Sequence, residues 1–179
     1  MITTCHASAR VRTPCRPGLL RLLCLVQMVC AMTWAGPAIA ATCNLATTGV
    51  ALGVYTPNQA APADSAASVS ITCAKGALDI LPLTVAYSVE ISTGNSSTYS
   101  PREMTSGRNA LRYNLYRDAL RNTIWGDTTG GTANVTGSLQ LQTSPGTASA
   151  VHTIYGRIFS SQNATPGVYA DTIVITISY

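Results

Sequence analysis

The stretch Leu81-Pro-Leu-Thr-Val-Ala-Tyr-Ser-Val-Glu-Ile-Ser92 decides the fold class of this chain of 179 residues. Its odd-numbered residues are all apolar, whereas the residues between them are mostly small or polar. Because successive side chains of a strand point to opposite faces, this alternation predicts a strand with one face in the core. The same period recurs at residues 50–54, 67–73, 135–141 and 169–179. We therefore predict an all-β protein folded as an antiparallel β-sandwich.

The first forty residues have the layout of a secretory signal peptide. Arginines precede a mostly apolar run, residues 22–32, and Ala38-Ile39-Ala40 is a small-x-small tripeptide of the kind that signal peptidase cleaves. A membrane anchor is the alternative, but the run is shorter than the ~20 residues that a spanning helix needs, and Gly36-Pro37 follows it. We predict a signal peptide over residues 1–40 and a secreted domain, with no stable membrane span, over residues 41–179.

The predicted secreted domain carries no net charge. Four of the 11 basic residues lie before residue 41, so 7 remain (11 − 4) beside all 7 acidic residues. Phosphate binding needs a surplus of lysine and arginine, so we expect no nucleic acid partner.

Signal cleavage also decides the chemistry of the cysteines. Four of the six lie before residue 41, which leaves Cys43 and Cys73 in the secreted domain. In an oxidising compartment an even pair is most simply a disulfide. The alternative is a zinc or redox site, but the two cysteines form no CxxC motif, and His152 is the only histidine after residue 40. We predict a Cys43–Cys73 disulfide and expect no metal.

Residues 108–122 fit two kinds of secondary structure. Every fourth residue from Leu111 to Ala119 is apolar, which with the nearby arginines would make a basic amphipathic helix. A strand over residues 111–116, with Leu111 and every second residue after it pointing inward, and a turn at Arg117-Asp118, fits as well. The pattern favours the strand.

No constellation for catalysis stands out. The sequence holds no GxSxG, HExxH or P-loop motif. His152 lies in a segment with a strand pattern, residues 148–159, where a histidine is far more often structural than catalytic. The spacing of the acidic residues selects no pair for glycoside chemistry. We expect no catalytic residue, no cofactor and no enzymatic activity.

Several residues have both a structural and a binding interpretation. Asp118 and Asp127 fit turn caps, because aspartate accepts hydrogen bonds from nearby backbone N–H groups. Trp125 could stack on a sugar ring, but we expect it to pack in the core. Five arginines could form a basic patch for an anionic polymer, or lie on solvated faces and pair with Glu103 and Asp118. They are Arg102, Arg108, Arg112, Arg117 and Arg121.

Five separated pieces of the sequence carry a family resemblance. They are Arg102-Glu-Met104, Leu111-Arg-Tyr-Asn-Leu-Tyr-Arg-Asp-Ala119, Ile124-Trp-Gly-Asp127, Tyr155-Gly-Arg-Ile158 and Pro166–Tyr179. In this order they resemble spore coat protein U domains, a family that includes pilin subunits of the archaic chaperone–usher pathway. The resemblance covers essentially all of residues 41–179, and the two cysteines fall where the family places its disulfide. The motif residues are Tyr113, Asn114, Leu115, Tyr116, Asp118, Trp125, Gly126, Asp127, Tyr169 and Asp171.

This resemblance implies an immunoglobulin-like sandwich that lacks one strand and therefore exposes an apolar groove. In such pili the N-terminal extension of the next subunit fills the groove, and a periplasmic chaperone fills it beforehand. The implied partners are a pilus chaperone, an usher and neighbouring pilin subunits, and the implied location is a surface fibre or coat reached through the periplasm. One wall of the groove would be Ile173, Ile175, Ile177 and Tyr179. By pattern alone, these residues also fit an ordinary core strand of a complete sandwich.

The segment before the first cysteine is shorter than in polymerising members of the family. After the predicted cleavage only Ala41 and Thr42 precede Cys43, too few to span a groove at ~3.3 Å per residue. We therefore expect a structural subunit that accepts a donor strand and offers none, as a terminal subunit would. The alternative is a single-domain, adhesin-like binding module whose loops recognise a surface or a glycan.

Overall fold

The computed structural model describes residues 41–76, 81–142 and 146–179. The predicted signal peptide lies outside the described residues and stays a prediction. In the described part, no helix is long and apolar enough to cross a membrane. Its regular structure is one 3-10 turn, Gly94–Ser96, and eight strands. The strands are β1 (Ala41–Thr47), β2 (Ala63–Lys75), β3 (Leu83–Ile91), β4 (Arg102–Ser106), β5 (Asn109–Tyr116), β6 (Val135–Leu141), β7 (Thr147–Ile158) and β8 (Ile175–Ser178).

The strands form two antiparallel sheets that share one apolar core. The larger sheet has the order β1-β2-β7-β5-β4, and the smaller has the order β6-β3-β8. All pairs of neighbouring strands run antiparallel. The prediction of an all-β antiparallel sandwich is therefore confirmed. Residues fully or almost fully buried between the sheets include Val69, Ile71, Val89, Ile91, Leu115, Trp125, Leu141, Ile154 and Ile158.

The alternation that predicted the fold class is visible in β3. Every second residue from Val85 to Ile91 is buried, whereas the residues between them are not. Tyr87 needs space across the sheet, because it is paired with Gly137 of β6 and a Cβ atom at that glycine would collide with the tyrosine hydroxyl. Leu81, at the start of the quoted stretch, precedes the strand and is exposed.

Residues 50–54 alternate like a strand but do not form one. The segment lies between the end of β1 at Thr47 and the start of β2 at Ala63, and Gly53 within it has a φ of 83°, which is not a strand conformation. Val50 and Leu52 pack against the core, whereas Val54 is exposed. The pattern correctly indicated an inward face but not hydrogen-bonded pairing.

The alternation over residues 169–179 also continues beyond the strand that the structure contains. Only Ile175–Ser178 pairs with β3 as β8. Upstream, Ala170 forms an isolated bridge with Thr105 of β4, in the other sheet. The chain therefore crosses from one sheet to the other between Ala170 and Ile175, and this crossing prevents one continuous strand.

The strand interpretation of residues 108–122 is confirmed, and the helix is absent. β5 covers Asn109–Tyr116, with Leu111 and Leu115 buried on its inner face. A turn follows, in which the Asp118 carboxylate accepts hydrogen bonds from the backbone amides of Asn122 (3.1 Å) and Thr123 (2.7 Å). The predicted turn cap is thus present.

Cys43 and Cys73 form the predicted disulfide. They are directly paired residues of β1 and β2, with Cα atoms 4.0 Å apart. Cys73 is fully buried and Cys43 almost so. The bridge fastens the edge strand β1 to the larger sheet.

Removing the disulfide should destabilise the domain. The two cysteines are 30 residues apart, and closing a loop of that size contributes roughly 3–4 kcal/mol by constraining the unfolded chain. We expect a Cys43→Ala/Cys73→Ala variant to lose about this much free energy of unfolding in urea titrations. Reduced wild-type protein should behave alike, and equal urea midpoints for oxidised and reduced wild type would contradict the prediction.

Candidate functional site: an open apolar cleft

A cleft of about 980 Å³ opens between two extended segments, residues 47–57 and residues 164–175. Val54 and Val168, which are 91% and 88% exposed, belong to its outer lining. Exposed apolar surface around a concave site is typical of binding surfaces. The floor is the inner face of the larger sheet, already largely covered by the two segments. Its residues are Met104, Leu111, Tyr113, Leu115, Ile154 and Ile158.

The first wall of the cleft carries unpaired main-chain groups. The amide of Thr48 donates to the carbonyl of Ser68 (3.2 Å), and the amide of Thr56 donates to the side chain of Gln59 (3.0 Å). Between these two anchors, residues 49–54 make no backbone hydrogen bond within the described part of the chain. The main-chain N–H and C=O groups of this wall therefore have no backbone partner in the described part of the chain.

The second wall is paired only at intervals. Ala170 exchanges two backbone hydrogen bonds with Thr105 (2.9 and 3.0 Å), whereas residues 166–169 and Ile173 have none in the described ranges. β8, which continues this wall, pairs with β3 alone and is an edge strand. Unpaired groups along extended edges are a template for a strand of another chain.

The structure brings half of the predicted groove residues to this cleft. Ile173 and Ile175 line it. Ile177 packs against the core outside the lining, opposite Val89, and Tyr179 follows β8 and is exposed. The opposite wall, residues 47–57, was not predicted. The alternation at residues 50–54 was the available signal, but it resembles that of an ordinary strand.

Two motif residues of the family resemblance, Asn114 and Trp125, bind a fully buried arginine. The guanidinium of Arg102, 0% exposed, donates from Nη1 to Oδ1 of Asn114 (2.7 Å). Nε and Nη2 donate to the carbonyl of Ser92 (3.0 and 2.9 Å), and Nη2 also donates to the carbonyl of Trp125 (2.7 Å). The ring of Tyr99 lies 5.0 Å from the guanidinium carbon. Burial lowers the pKa of Arg102, but arginine remains charged at neutral pH.

Arg102 therefore does not belong to a surface patch, and that part of the basic-patch hypothesis is wrong. Arg112 pairs with Glu103 at 3.4 Å, as expected, in an exposed ion pair worth little stability. Arg121 pairs with Asp64 at 3.3 Å. The expected partner Asp118 instead caps its own turn, so the arginines are dispersed.

Asp171 holds the second wall in place. Its Oδ2 accepts a hydrogen bond from the Tyr113 hydroxyl (2.6 Å), and its Oδ1 accepts from the amide of Asn95 (2.8 Å). Burial, with this carboxylate, raises the pKa of Tyr113. Gly94, at φ 70°, leaves the space that the carboxylate occupies. The C-terminal segment is thus tied to β5 and to the 3-10 turn at one point.

The other motif residues are structural as well. Trp125 is fully buried and donates from Nε1 to the carbonyl of Val89 (2.9 Å), so the core interpretation holds. A Cβ atom at Gly126 would collide with Thr132. Asp127 caps its turn through the amide of Thr129 (2.9 Å). These contacts fix the backbone that supports the floor and the loops. Trp125, Gly126 and Asp127 themselves do not line the cleft.

A second, polar pocket of about 750 Å³ lies on the opposite face of the C-terminal segment. Val174 and Thr176 line it, and they alternate with the two isoleucines of the cleft. Arg102 connects the two loops beside this pocket, because its guanidinium donates hydrogen bonds to the carbonyls of Ser92 and Trp125. The remaining lining comes from Glu90, Ile91, Ser92, Thr93, Ser97–Ser100, Asp127, Thr129 and Gly130.

The described residues group no three metal-ligating side chains. His152 Nε2 and the Tyr87 hydroxyl are hydrogen-bonded at 2.9 Å, and burial lowers the pKa of the histidine. The histidine ring also packs edge-on to Trp125, with ring centroids 6.5 Å apart. These contacts give His152 a structural role.

Comparisons with known proteins find a matching family and a solved structure with a similar fold. A family model described as Spore Coat Protein U domain matches residues 29–176. A chain of the crystal structure of the CsuC-CsuE chaperone-tip adhesion subunit pre-assembly complex, from archaic chaperone-usher Csu pili of Acinetobacter baumannii, is similar with a TM-score of 0.51 and 20% identity. The match covers 78% of this chain and 40% of that chain, and at this identity it shows the fold alone. No curated protein matches the sequence.

The buried arginine should be essential for stability. Arg102→Met keeps the apolar stem but leaves the carbonyls of Ser92 and Trp125 without their donor and removes the charged partner of Asn114, so we expect a loss of about 3–5 kcal/mol in the free energy of unfolding. Arg112→Met makes the same replacement at an exposed ion pair and should cost less than about 1 kcal/mol. Urea denaturation measures both variants, and equal losses would contradict the structural role of Arg102.

Proposed function

Because this chain belongs to the Spore Coat Protein U domain family, we propose that it is a secreted structural subunit of a surface pilus or coat that assembles by accepting a donor strand. The observation that carries the proposal is the cleft with unpaired main-chain groups on both walls. The proposed mechanism is noncovalent.

A strand is the occupant that fits both the unpaired main-chain groups of the walls and the apolar floor of the cleft. Its backbone supplies donors and acceptors to residues 49–54 on one side and to Ile173 on the other. Its alternate side chains point to the floor, where burial contributes roughly 0.8 kcal/mol per CH₂ group. A helix satisfies its own backbone groups and would leave both walls unpaired.

The proposed partners are a periplasmic chaperone, an usher and neighbouring subunits. The crystal structure with a similar fold is a complex of a pilus chaperone with a tip adhesion subunit. A chaperone strand in the cleft would protect the apolar surface until a subunit takes its place, because open sheet edges of this kind promote aggregation. Passage through the periplasm to the cell surface follows from this scheme and from the predicted signal peptide.

Two neighbouring residues on opposite faces allow a matched test. Ile173 lines the cleft, whereas Val174 is 60% exposed on the other side of the same segment. We expect Ile173→Thr to weaken the complex with the cognate chaperone at least tenfold, because it places a hydroxyl on the apolar wall. Val174→Thr should bind like wild type. Titration of purified protein measures the binding, and urea unfolding checks that both variants are folded.

The controls separate an assembly role from a fold defect. If both variants bind the chaperone equally, Ile173 does not face the occupant. If wild-type protein, expressed alone, is a soluble monomer that binds no chaperone, the acceptor role itself is contradicted.

A glycan-binding module is the second candidate, favoured by the polar pocket. Two carboxylates, Glu90 and Asp127, several hydroxyls and the half-buried Tyr99 line it. This combination suits the hydroxyl or amine groups of a sugar and opposes anionic ligands. Here the chain would act through its loops rather than through the cleft.

Glucosamine oligomers provide the test of this candidate. We expect them to bind wild-type protein in calorimetric titrations and to bind Glu90→Gln/Asp127→Asn at least tenfold more weakly, because each neutralised carboxylate loses a charge-assisted hydrogen bond. Polygalacturonate fragments, which are anionic, serve as the control and should not bind. Absence of glucosamine oligomer binding to wild type contradicts the candidate and leaves the cleft unaffected.

A further inference from the structure

The floor of the cleft contains a notch at Gly156. This residue of β7 is paired with Ser65 of β2 on one side and with Leu115 of β5 on the other. Without a side chain it leaves a gap in the inner face of the larger sheet. A Cβ atom there would lie 2.5 Å from Cδ2 of Leu52, 2.8 Å from Oγ of Ser65 and 3.4 Å from Cγ1 of Val50. The side chain of Leu52 therefore fills the notch.

The hydroxyl of Ser65 has no partner in this notch. Its Oγ is buried and makes no hydrogen bond, the one such side-chain atom in the described ranges. Ser65 shares the inner face of β2 with Val69 and Ile71, so the hydroxyl faces the core. A buried hydroxyl without a partner is destabilising, and native proteins contain few of them. Leu52, which lies above it, has no group that could bind it.

Moving Leu52 out of the notch costs apolar burial but no hydrogen bond. Residues 49–54 have no backbone hydrogen bond to lose. The segment is anchored beyond both ends, by the Thr48 amide and by the Tyr55 hydroxyl, which accepts from the Gln162 amide at 2.7 Å. Shifting Leu52 out of the notch would therefore break no hydrogen bond and leave the anchors in place.

We propose that Leu52 is an internal plug, displaced when a strand enters the cleft, and that the entering strand places a threonine or serine side chain in the notch, where its hydroxyl binds Ser65 Oγ. This rests on the proposed acceptor function. A small side chain with one hydroxyl fits the gap over Gly156 and satisfies the orphan group at once. The notch would then set the register of the entering strand, because a shift by one residue turns every side chain to the other face.

Synthetic peptides test the plug and the notch without a known partner. The probes are a twelve-residue peptide that alternates valine with lysine and variants in which one valine at a time is threonine. For wild-type protein we expect threonine to improve the dissociation constant about three- to tenfold at one position only, the yield of one additional hydrogen bond. Ser65→Ala should abolish that preference. Ser70→Ala, the same change on the outer face of β2, should keep it.

Shortening Leu52 distinguishes a plug from a simple wall residue. It should strengthen peptide binding if Leu52 is a plug and weaken it if Leu52 only lines the cleft. Leu52→Ala should bind all the peptides more tightly, because no internal side chain competes for the notch, whereas Val151→Ala, an exposed position on the outer face of β7, should leave affinity unchanged. Weaker binding by Leu52→Ala overturns the plug. A uniform affinity across threonine positions, or a preference that survives in Ser65→Ala, overturns the notch assignment but leaves the acceptor role standing. Failure of every peptide to bind wild type contradicts both.

Discussion

A five-stranded sheet shares its core with a sheet of only three strands, and this inequality is the constraint on which the rest depends. A sheet must cover its apolar face. Here the smaller sheet covers only part of the larger one, and two segments that lie mostly outside the strands, residues 47–57 and 164–175, cover much of the rest. Apolar burial is largely achieved, since the floor residues are buried. Backbone hydrogen bonding is less complete, because the main-chain groups of residues 49–54 have no backbone partner in the described part of the chain.

Buried polar contacts and a disulfide hold the parts of the domain around the cleft. The guanidinium of Arg102 binds carbonyls on two loops, and Asp171 joins the C-terminal segment to β5. The disulfide fastens β1 at the far edge of the larger sheet. The second wall is attached at Ala170, through its backbone hydrogen bonds to Thr105, and at Asp171, through its side chain.

Much of the fold could be predicted from local patterns. Alternation predicted the strands that became β2, β3 and β6, and Cys43 and Cys73, the two cysteines outside the predicted signal peptide, form the disulfide. The same alternation was misleading at residues 50–54, because periodicity reports which side chains point inward and not whether the backbone finds a partner. Of the four residues for which the family resemblance implies a groove wall, Ile173 and Ile175 line the cleft, and their role as acceptor residues stays a prediction. The other wall, the buried position of Arg102 and the notch at Gly156 depend on contacts between residues far apart in sequence, which one sequence does not show.

The central claim is that the main chain at residues 49–54 is unpaired in the free domain and becomes paired when a strand enters. Amide hydrogen exchange, followed by mass spectrometry on the free domain and on its complex with the cognate chaperone, tests it directly. The account predicts fast exchange at residues 49–54 in the free domain, slow exchange there in the complex, and little change in β2 and β7. Amides of this segment that are already protected in the free domain, or that remain fast in the complex, would contradict it.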